Sequence, residues 1–252
     1  MRVFITGAST GIGQALARHY AARGAVLGLV SRRQTLLDTL AASLPTEAAC
    51  YALDVRDAHA MAAAAQDFIQ RFGLPDIVIA NAGVSRGTLT EHAEDAVAFK
   101  AILETNVLGM LHTFQPFVPG MIERGDGSLV GIASVAGIRG LPGAGAYSAS
   151  KAAAISYLES LRVEMLAYGV TVTTIAPGYI RTPMTDANPY RMPFLMEPEV
   201  AADKFAKAIA RRRRFVIIPW QMGIVARLMR LIPAWLWDRL AKDAPHKPRD
   251  PQ

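Results

Sequence analysis

Tyr147-Ser148-Ala149-Ser150-Lys151 sets a phenol and an amine four residues apart, which on a helix stacks them on one face. A phenol at its ordinary pKa of about 10 is a weak base at neutral pH, but an adjacent ammonium favours the phenolate. Each unit of depression corresponds to roughly 1.4 kcal/mol of differential stabilisation. Upstream, Ser134 follows the apolar run Ser128–Ile132, which reads as a strand. A serine at the carboxyl edge of a parallel sheet stands where ligands bind and can donate to a substrate oxygen. A tyrosine and a lysine at this spacing also occur on ordinary surface helices, so the surroundings must decide.

A second constellation lies at the start of the chain. Val3–Thr6 reads as a strand running into Gly7-Ala8-Ser9-Thr10-Gly11-Ile12-Gly13 and then an Ala-rich helix. Such a turn lets backbone approach a pyrophosphate, and the helix N-terminus offers free N–H groups and a positive dipole end. The GxxxGxG spacing is a variant of the GxGxxG fingerprint. After the second strand comes Ser31-Arg32-Arg33, where a carboxylate would bind both ribose hydroxyls of NAD. Guanidinium groups suit a 2′-phosphate, so NADP(H) is favoured over NAD(H), with Arg32 expected to act chiefly and Arg33 secondarily. Asp54 and Val55 end the third strand and are placed to meet the adenine edge. Asn81-Ala82-Gly83 ends the fourth, where small residues let backbone lie along the cofactor.

The elements that must position these groups follow from periodicity. Strands are predicted at Val3–Thr6, Val26–Val30, Ala48–Leu53, Ile77–Ala80, Ser128–Ile132, Val170–Ile175 and Phe215–Ile218. Helices are predicted at Gly13–Arg23, Gln34–Ser43, Ala58–Arg71, Ala98–Glu123, Tyr147–Tyr168 and Pro198–Arg211. The alternation predicts right-handed crossovers and an α/β fold: a doubly wound, mainly parallel, seven-stranded sheet with helices on both faces. Residues 1–219 form the dinucleotide-binding and catalytic part, and residues 220–252 an amphipathic extension of the same domain.

The motifs TGASTGIG (6–13), NAG (81–83), Asn106, Ser134, YSASK (147–151) and APGYIRT (176–182) occur in the order and spacing of the short-chain dehydrogenase/reductase family, which this chain resembles over about residues 1–220. The resemblance implies a Rossmann fold with Asn106, Ser134, Tyr147 and Lys151 as a catalytic tetrad. Tyr147 would be the general acid/base. Lys151 would hold the nicotinamide ribose and lower the tyrosine pKa. Ser134 would orient the carbonyl or alcohol, and Asn106 would anchor a water relaying protons through Lys151. Pro177, Gly178, Ile180 and Thr182 would meet the nicotinamide. Members of the family that use NADP often carry a basic residue where Thr10 stands, so the NADP preference rests here on Arg32 and Arg33.

The implied chemistry is hydride transfer between NADP(H) and a carbonyl or alcohol, with no metal. Met184, Tyr190, Met192, Phe194, Leu195 and Met196 suggest an apolar substrate, with Ile138–Pro142 as a second wall; Arg139, Arg181 and Arg191 are candidates for an acidic substrate group. A non-catalytic dinucleotide-binding regulator or scaffold is the competing class. Within the enzyme class, reduction of a 3-oxoacyl group on an acidic carrier protein is the alternative.

Composition narrows the field. One cysteine in 252 residues excludes a disulfide framework, and His19, His59, His92, His112 and His246 show no metal-ligand spacing. Lysine and arginine number 27 against 21 acidic residues, but residues 204–252 alone hold 12 basic and 3 acidic side chains. A basic tail on an otherwise slightly acidic body argues against nucleic-acid binding. No signal-peptide pattern follows Met1, and no apolar stretch approaches the length of a spanning helix, so the expectation is cytoplasmic. In Trp220–Lys242, Val225, Leu228, Met229, Ile232, Leu236 and Leu240 recur at helical steps, opposite Arg227, Arg230 and Asp238, with Pro233 kinking the helix. With Trp235 and Trp237, this tail is a candidate for peripheral membrane contact, for capping the pocket or for packing across a dimer. The apolar surface of the two long helices predicts a homodimer or homotetramer.

Overall fold

Apolar runs long enough to be buried on both faces become parallel strands covered by helices in the computed structural model, which describes residues 1–186, 188–244 and 247–249. The first half comprises β1 (Arg2–Thr6), α1 (Gly11–Ala21), β2 (Val26–Ser31), α2 (Gln34–Ala42), β3 (Ala48–Ala52), α3 (Ala58–Phe72) and β4 (Ile77–Ala80). Next come α4 (Asp95–Leu103), a π-helical turn (Glu104–Leu108), α5 (Gly109–Phe114), α6 (Val118–Arg124) and β5 (Gly127–Ile132). A 3₁₀ turn (Val135–Gly137), α7 (Gly145–Met165), a second 3₁₀ turn (Leu166–Tyr168) and β6 (Val170–Pro177) follow. The chain continues through α8 (Pro183–Asp186), α9 (Pro198–Ala210), β7 (Phe215–Ile218), α10 (Trp220–Leu231) and α11 (Ala234–Ala241).

The seven strands lie in the order β3-β2-β1-β4-β5-β6-β7, all parallel. All seven predicted strands are present. The chain winds outward from β1 to β3 and then returns to β4, so the switch point falls between the carboxyl ends of β1 and β4. One face packs Leu16 of α1 against Phe205 and Ile209 of α9. On the other, Phe4 meets Phe68 edge-on at 5.4 Å and Phe117 at 4.9 Å. Burying each such ring contributes about 1.5–3 kcal/mol, which fixes the strand ends that carry the site.

The helix expected over Ala98–Glu123 is broken. Pro116 lacks the N–H that would bond back along the helix and its ring crowds the preceding turn, so α5 ends at Phe114 and α6 restarts at Val118. The π turn is held by Asn106, whose amide reaches other segments. The division at Pro233 occurs as expected, but the tail's faces do not. Met222, Ala226 and Ala241 are buried, while Leu228 and Leu240 point to solvent, because small alanines allow close packing and the break changes the face between α10 and α11.

Candidate active site

The turn after β1 is locked from the neighbouring strand. Thr6 Oγ1 accepts from the backbone N–H groups of Asn81 (3.2 Å) and Ala82 (3.3 Å). Asn81 Nδ2 donates to the carbonyls of Thr6 (3.0 Å) and Gly7 (3.2 Å). Gly7 has φ +67°, and a Cβ on Gly13 would lie 2.2 Å from the Gly7 carbonyl oxygen. This turn therefore cannot form with larger residues, and its open backbone fits a pyrophosphate.

At the end of β2, Ser31 Oγ accepts from the backbone N–H of Arg33 at 3.0 Å. Arg33 Nη2 donates to Ser9 Oγ at 2.7 Å and Thr10 Oγ1 at 3.0 Å. Arg32, expected to be the principal contact, is instead 66% exposed and 3.9 Å from the Asp54 carboxylate. The reason is backbone direction: the Ser31 hydroxyl holds Arg33 over the glycine turn and leaves Arg32 on the outer rim. Arg56, donating to Asp54 at 2.8 Å, keeps the Asp54 carboxyl below its usual range.

Ser134, Tyr147 and Lys151 converge at the far end. Ser134 follows β5 and its Oγ accepts from the Ala136 N–H at 3.1 Å. Lys151 is buried, donates to the Ile132 carbonyl at 2.8 Å and sits 5.7 Å from the centre of the Tyr147 ring. Desolvation pushes the Tyr147 phenol above its ordinary value, with a hydrogen bond from Ser134 acting against it. Burial outweighs that bond, so the phenol lies above its ordinary value. The amine is turned toward Ile132, and burial pushes its own pKa down to about 8.

That depression has a measurable consequence. Between about 8 and 10.5 the unfolded chain keeps the lysine proton that the folded chain sheds, so folding gains stability as pH rises through this window. Relative to Lys151→Met, the parent is expected to improve by about 3 kcal/mol between neutral and strongly alkaline pH. Denaturant melts across that range check it, and a pH-independent difference would contradict it.

Asn106 is fully buried beneath these groups. Its Oδ1 accepts from the Val84 N–H at 2.8 Å, and its Nδ2 donates to the Val84 carbonyl (3.0 Å) and Ser150 Oγ (2.9 Å). Ser150 Oγ in turn donates to the Tyr147 carbonyl at 2.8 Å. Both amide donors are thus engaged in tying the loop after β4 to α7, the helix that carries the tyrosine and the lysine.

One cavity of about 540 Å³ joins the two ends. Of the predicted residues, Gly7, Ser9, Thr10, Gly11, Ile12, Ser31, Arg32, Arg33, Asp54, Val55, Asn81, Ala82, Gly83, Ser134, Tyr147, Lys151, Pro177, Gly178, Ile180 and Thr182 line it, while Gly13 and Asn106 support the wall from behind. Gly11 and Thr182 approach so closely that a Cβ on Gly11 would sit 2.9 Å from Thr182 Cγ2. The sequence reading missed Val84, Ser85, Arg86, Ile132 and Ala133, all next to strand ends, Pro183 at the start of α8, and Thr105, which the π turn delivers. Two of the candidate substrate contacts have partners within the chain: Arg139 donates to the Met229 and Ile232 carbonyls, and Arg181 pairs with Glu197 at 2.7 Å. Arg191 is exposed.

The end of the chain straps the rim. Lys247 Nζ donates to the Met184 carbonyl at 2.8 Å, Gly87 N–H to the Pro248 carbonyl at 3.2 Å, and Arg249 binds Asp95 at 2.8 Å. His246 and Ala187 lie outside the described residues. Among the described residues no group of His, Cys, Asp and Glu side chains could hold a metal ion, and no helix is long and apolar enough to cross a membrane.

The family model described as short chain dehydrogenase matches residues 1–191. An uncharacterized oxidoreductase of Myxococcus xanthus is 39% identical over 94% of this chain and 95% of its own. A short-chain dehydrogenase from Sphingobium yanoikuyae, solved in complex with NADPH, superimposes with a TM-score of 0.78 at 27% identity, covering 92% of this chain and 96% of that one. A 3-oxoacyl-[acyl-carrier protein] reductase from Brucella melitensis with bound NAD gives a TM-score of 0.75 at 29% identity, covering 86% and 88%.

Proposed function

The chain belongs to the short-chain dehydrogenase/reductase family of oxidoreductases, and from that premise we propose that it moves a hydride between NADP(H) and a carbonyl or alcohol of an apolar substrate. The observation that carries this reading is the single cavity joining the Ser31–Arg33 edge and the glycine turn to Ser134, Tyr147 and Lys151. The glycine turn and the first turn of α1 would hold the pyrophosphate, and Arg33 and Arg32 would hold a 2′-phosphate. The nicotinamide supplies or takes up the hydride.

The protein's own groups do the rest. Tyr147 gives its phenolic proton to the carbonyl oxygen as negative charge develops there. Ser134 donates to the same oxygen; the Ala136 N–H occupies a lone pair of its Oγ and steadies the hydroxyl. Desolvation keeps Tyr147 protonated at neutral pH, which suits carbonyl reduction. Lys151 would hold the nicotinamide ribose and would return to Tyr147 a proton drawn from solvent. Asn106 holds Val84 and Ser150, and so fixes the spacing of α7 from the loop after β4.

Loss of NADPH absorbance with a panel of apolar ketones and 3-oxoacyl thioesters tests the reading. Oxidation is expected with at least one ketone. Tight NADPH binding without turnover of any member would favour the non-catalytic regulator.

The quaternary proposal is a homodimer or homotetramer. Val97, Phe99, Leu108 and Leu111 on the α4–α5 side, and Val163, Leu166 and Tyr168 at the end of α7, are exposed apolar side chains. Light scattering at micromolar concentration should give at least twice the 27.1 kDa chain mass; a monomeric mass would contradict the proposal.

A further inference from the structure

The helices α10 and α11 carry apolar side chains on two faces, and only one is used inside the chain. Met222 and Ala226 face inward and are buried, with Ala241 doing the same on α11. Trp220, Ile224, Leu228 and Leu231 repeat at steps of three and four on the other side, and Trp235 extends the row onto α11. All five are exposed, Leu231 to 79% and Trp235 to 64%. Isolated exposed apolar residues are ordinary, but a continuous stripe at helical spacing marks a surface that meets another phase or partner.

Charge selects the occupant. Arg227, Arg230, Arg239 and Lys242 accompany the stripe, against Asp238 alone between Trp220 and Lys242. Arg227 and Arg239 have no ion pair among the described residues. A two-fold contact between copies would set these arginines against themselves, with little acid to answer them. Tryptophan at both ends, leucine between and arginine alongside is the composition that lies in a lipid interface. We propose that α10 and α11 seat the protein on an anionic lipid bilayer, with Trp220, Ile224, Leu228, Leu231 and Trp235 entering the interface and the basic side chains meeting headgroups. This inference is independent of the hydride-transfer reading.

The attachment has a defined relation to the pocket. Arg139, in the loop after Ser134, donates to the Met229 and Ile232 carbonyls at the end of α10, and its guanidinium lies over the Trp237 ring at 4.6 Å. The tail is thereby clasped to the chain segment that leaves the catalytic serine. A bilayer under the stripe is tied, through Arg139, to the loop that follows Ser134, a residue lining the cavity.

Sedimentation with vesicles tests the proposal on the full chain. The intact protein should pellet with phosphatidylcholine vesicles containing phosphatidylserine at low salt, and be released by high salt. Leu231→Ser with Trp235→Ser should reduce partitioning about tenfold or more, with melting temperature and solution mass unchanged. Arg227→Glu with Arg239→Glu should abolish the preference for anionic over neutral vesicles. Three outcomes overturn it: intact protein that stays in the supernatant, a Leu231/Trp235 variant that pellets like the parent, or a fall in that variant's solution mass, which would make the stripe a subunit contact.

Discussion

Tyr147→Phe is expected to lower kcat by roughly 10²–10⁴, the range for losing a positioned general acid, while NADPH affinity stays nearly unchanged. The substitution removes one hydroxyl and keeps the ring that packs 5.7 Å from Lys151 Nζ. The bonding that holds α7 in place is untouched, because Ser150 Oγ donates to the Tyr147 carbonyl and not to its phenol, and Asn106 acts on Ser150. Lys151→Ala should damage both turnover and cofactor binding, since its proposed work is at the ribose as well as at the proton. The pH profile has a sign. The phenol sits above its ordinary value because it is desolvated, so it stays protonated through neutral pH. Ketone reduction should therefore be flat near neutrality and fall only on the alkaline side, whereas alcohol oxidation should rise with pH. Steady-state kinetics in both directions would reveal this, and a Tyr147→Phe enzyme that retained more than a small fraction of kcat would remove the tyrosine from its assigned role.

Arg33→Ala should narrow the preference for NADPH over NADH by at least about tenfold. A charge-assisted hydrogen bond to phosphate is worth on the order of 1.5–3 kcal/mol, and about 1.4 kcal/mol is a factor of ten. Arg33 is already held over the glycine turn by Ser9 and Thr10, so little side-chain entropy remains to be lost when a phosphate arrives. Arg32 is largely exposed and shares the Asp54 carboxylate with Arg56, so Arg32→Ala should have the smaller effect. Equal KM values for the two cofactors in the parent would defeat the assignment, and a larger loss from Arg32→Ala would reverse the ranking.

Much of the site was legible because its residues sit beside strand ends. A period of buried apolar residues locates a strand, and in a parallel sheet the residues just after it lie at the carboxyl edge. Gly7–Gly13, Ser31–Arg33, Asn81–Gly83, Ser134 and Pro177–Thr182 were all reachable by that step, and each lines or supports the cavity. Tyr147 and Lys151 needed only the helical repeat. The break in Ala98–Glu123 lies at Pro116, where a missing N–H outweighs the helix-favouring composition on either side.

Local pattern and turn chemistry by themselves determined the seven strands, their parallel winding, the glycine turn and the helix bearing the tyrosine and lysine, because each depends on neighbours a few positions apart. Only the tertiary structure decided which groups share a partner. Asn106 reaches Val84 across 22 positions and Ser150 across 44, and so holds a π turn that no propensity predicts. Arg139 finds the end of α10 across 90 positions, which made a candidate substrate contact into a clasp. Arg249 reaches Asp95 across 154 and brings the end of the chain over the rim. A buried or partly buried polar group takes whichever partner the packed chain presents, and that choice is made by the packing of distant segments.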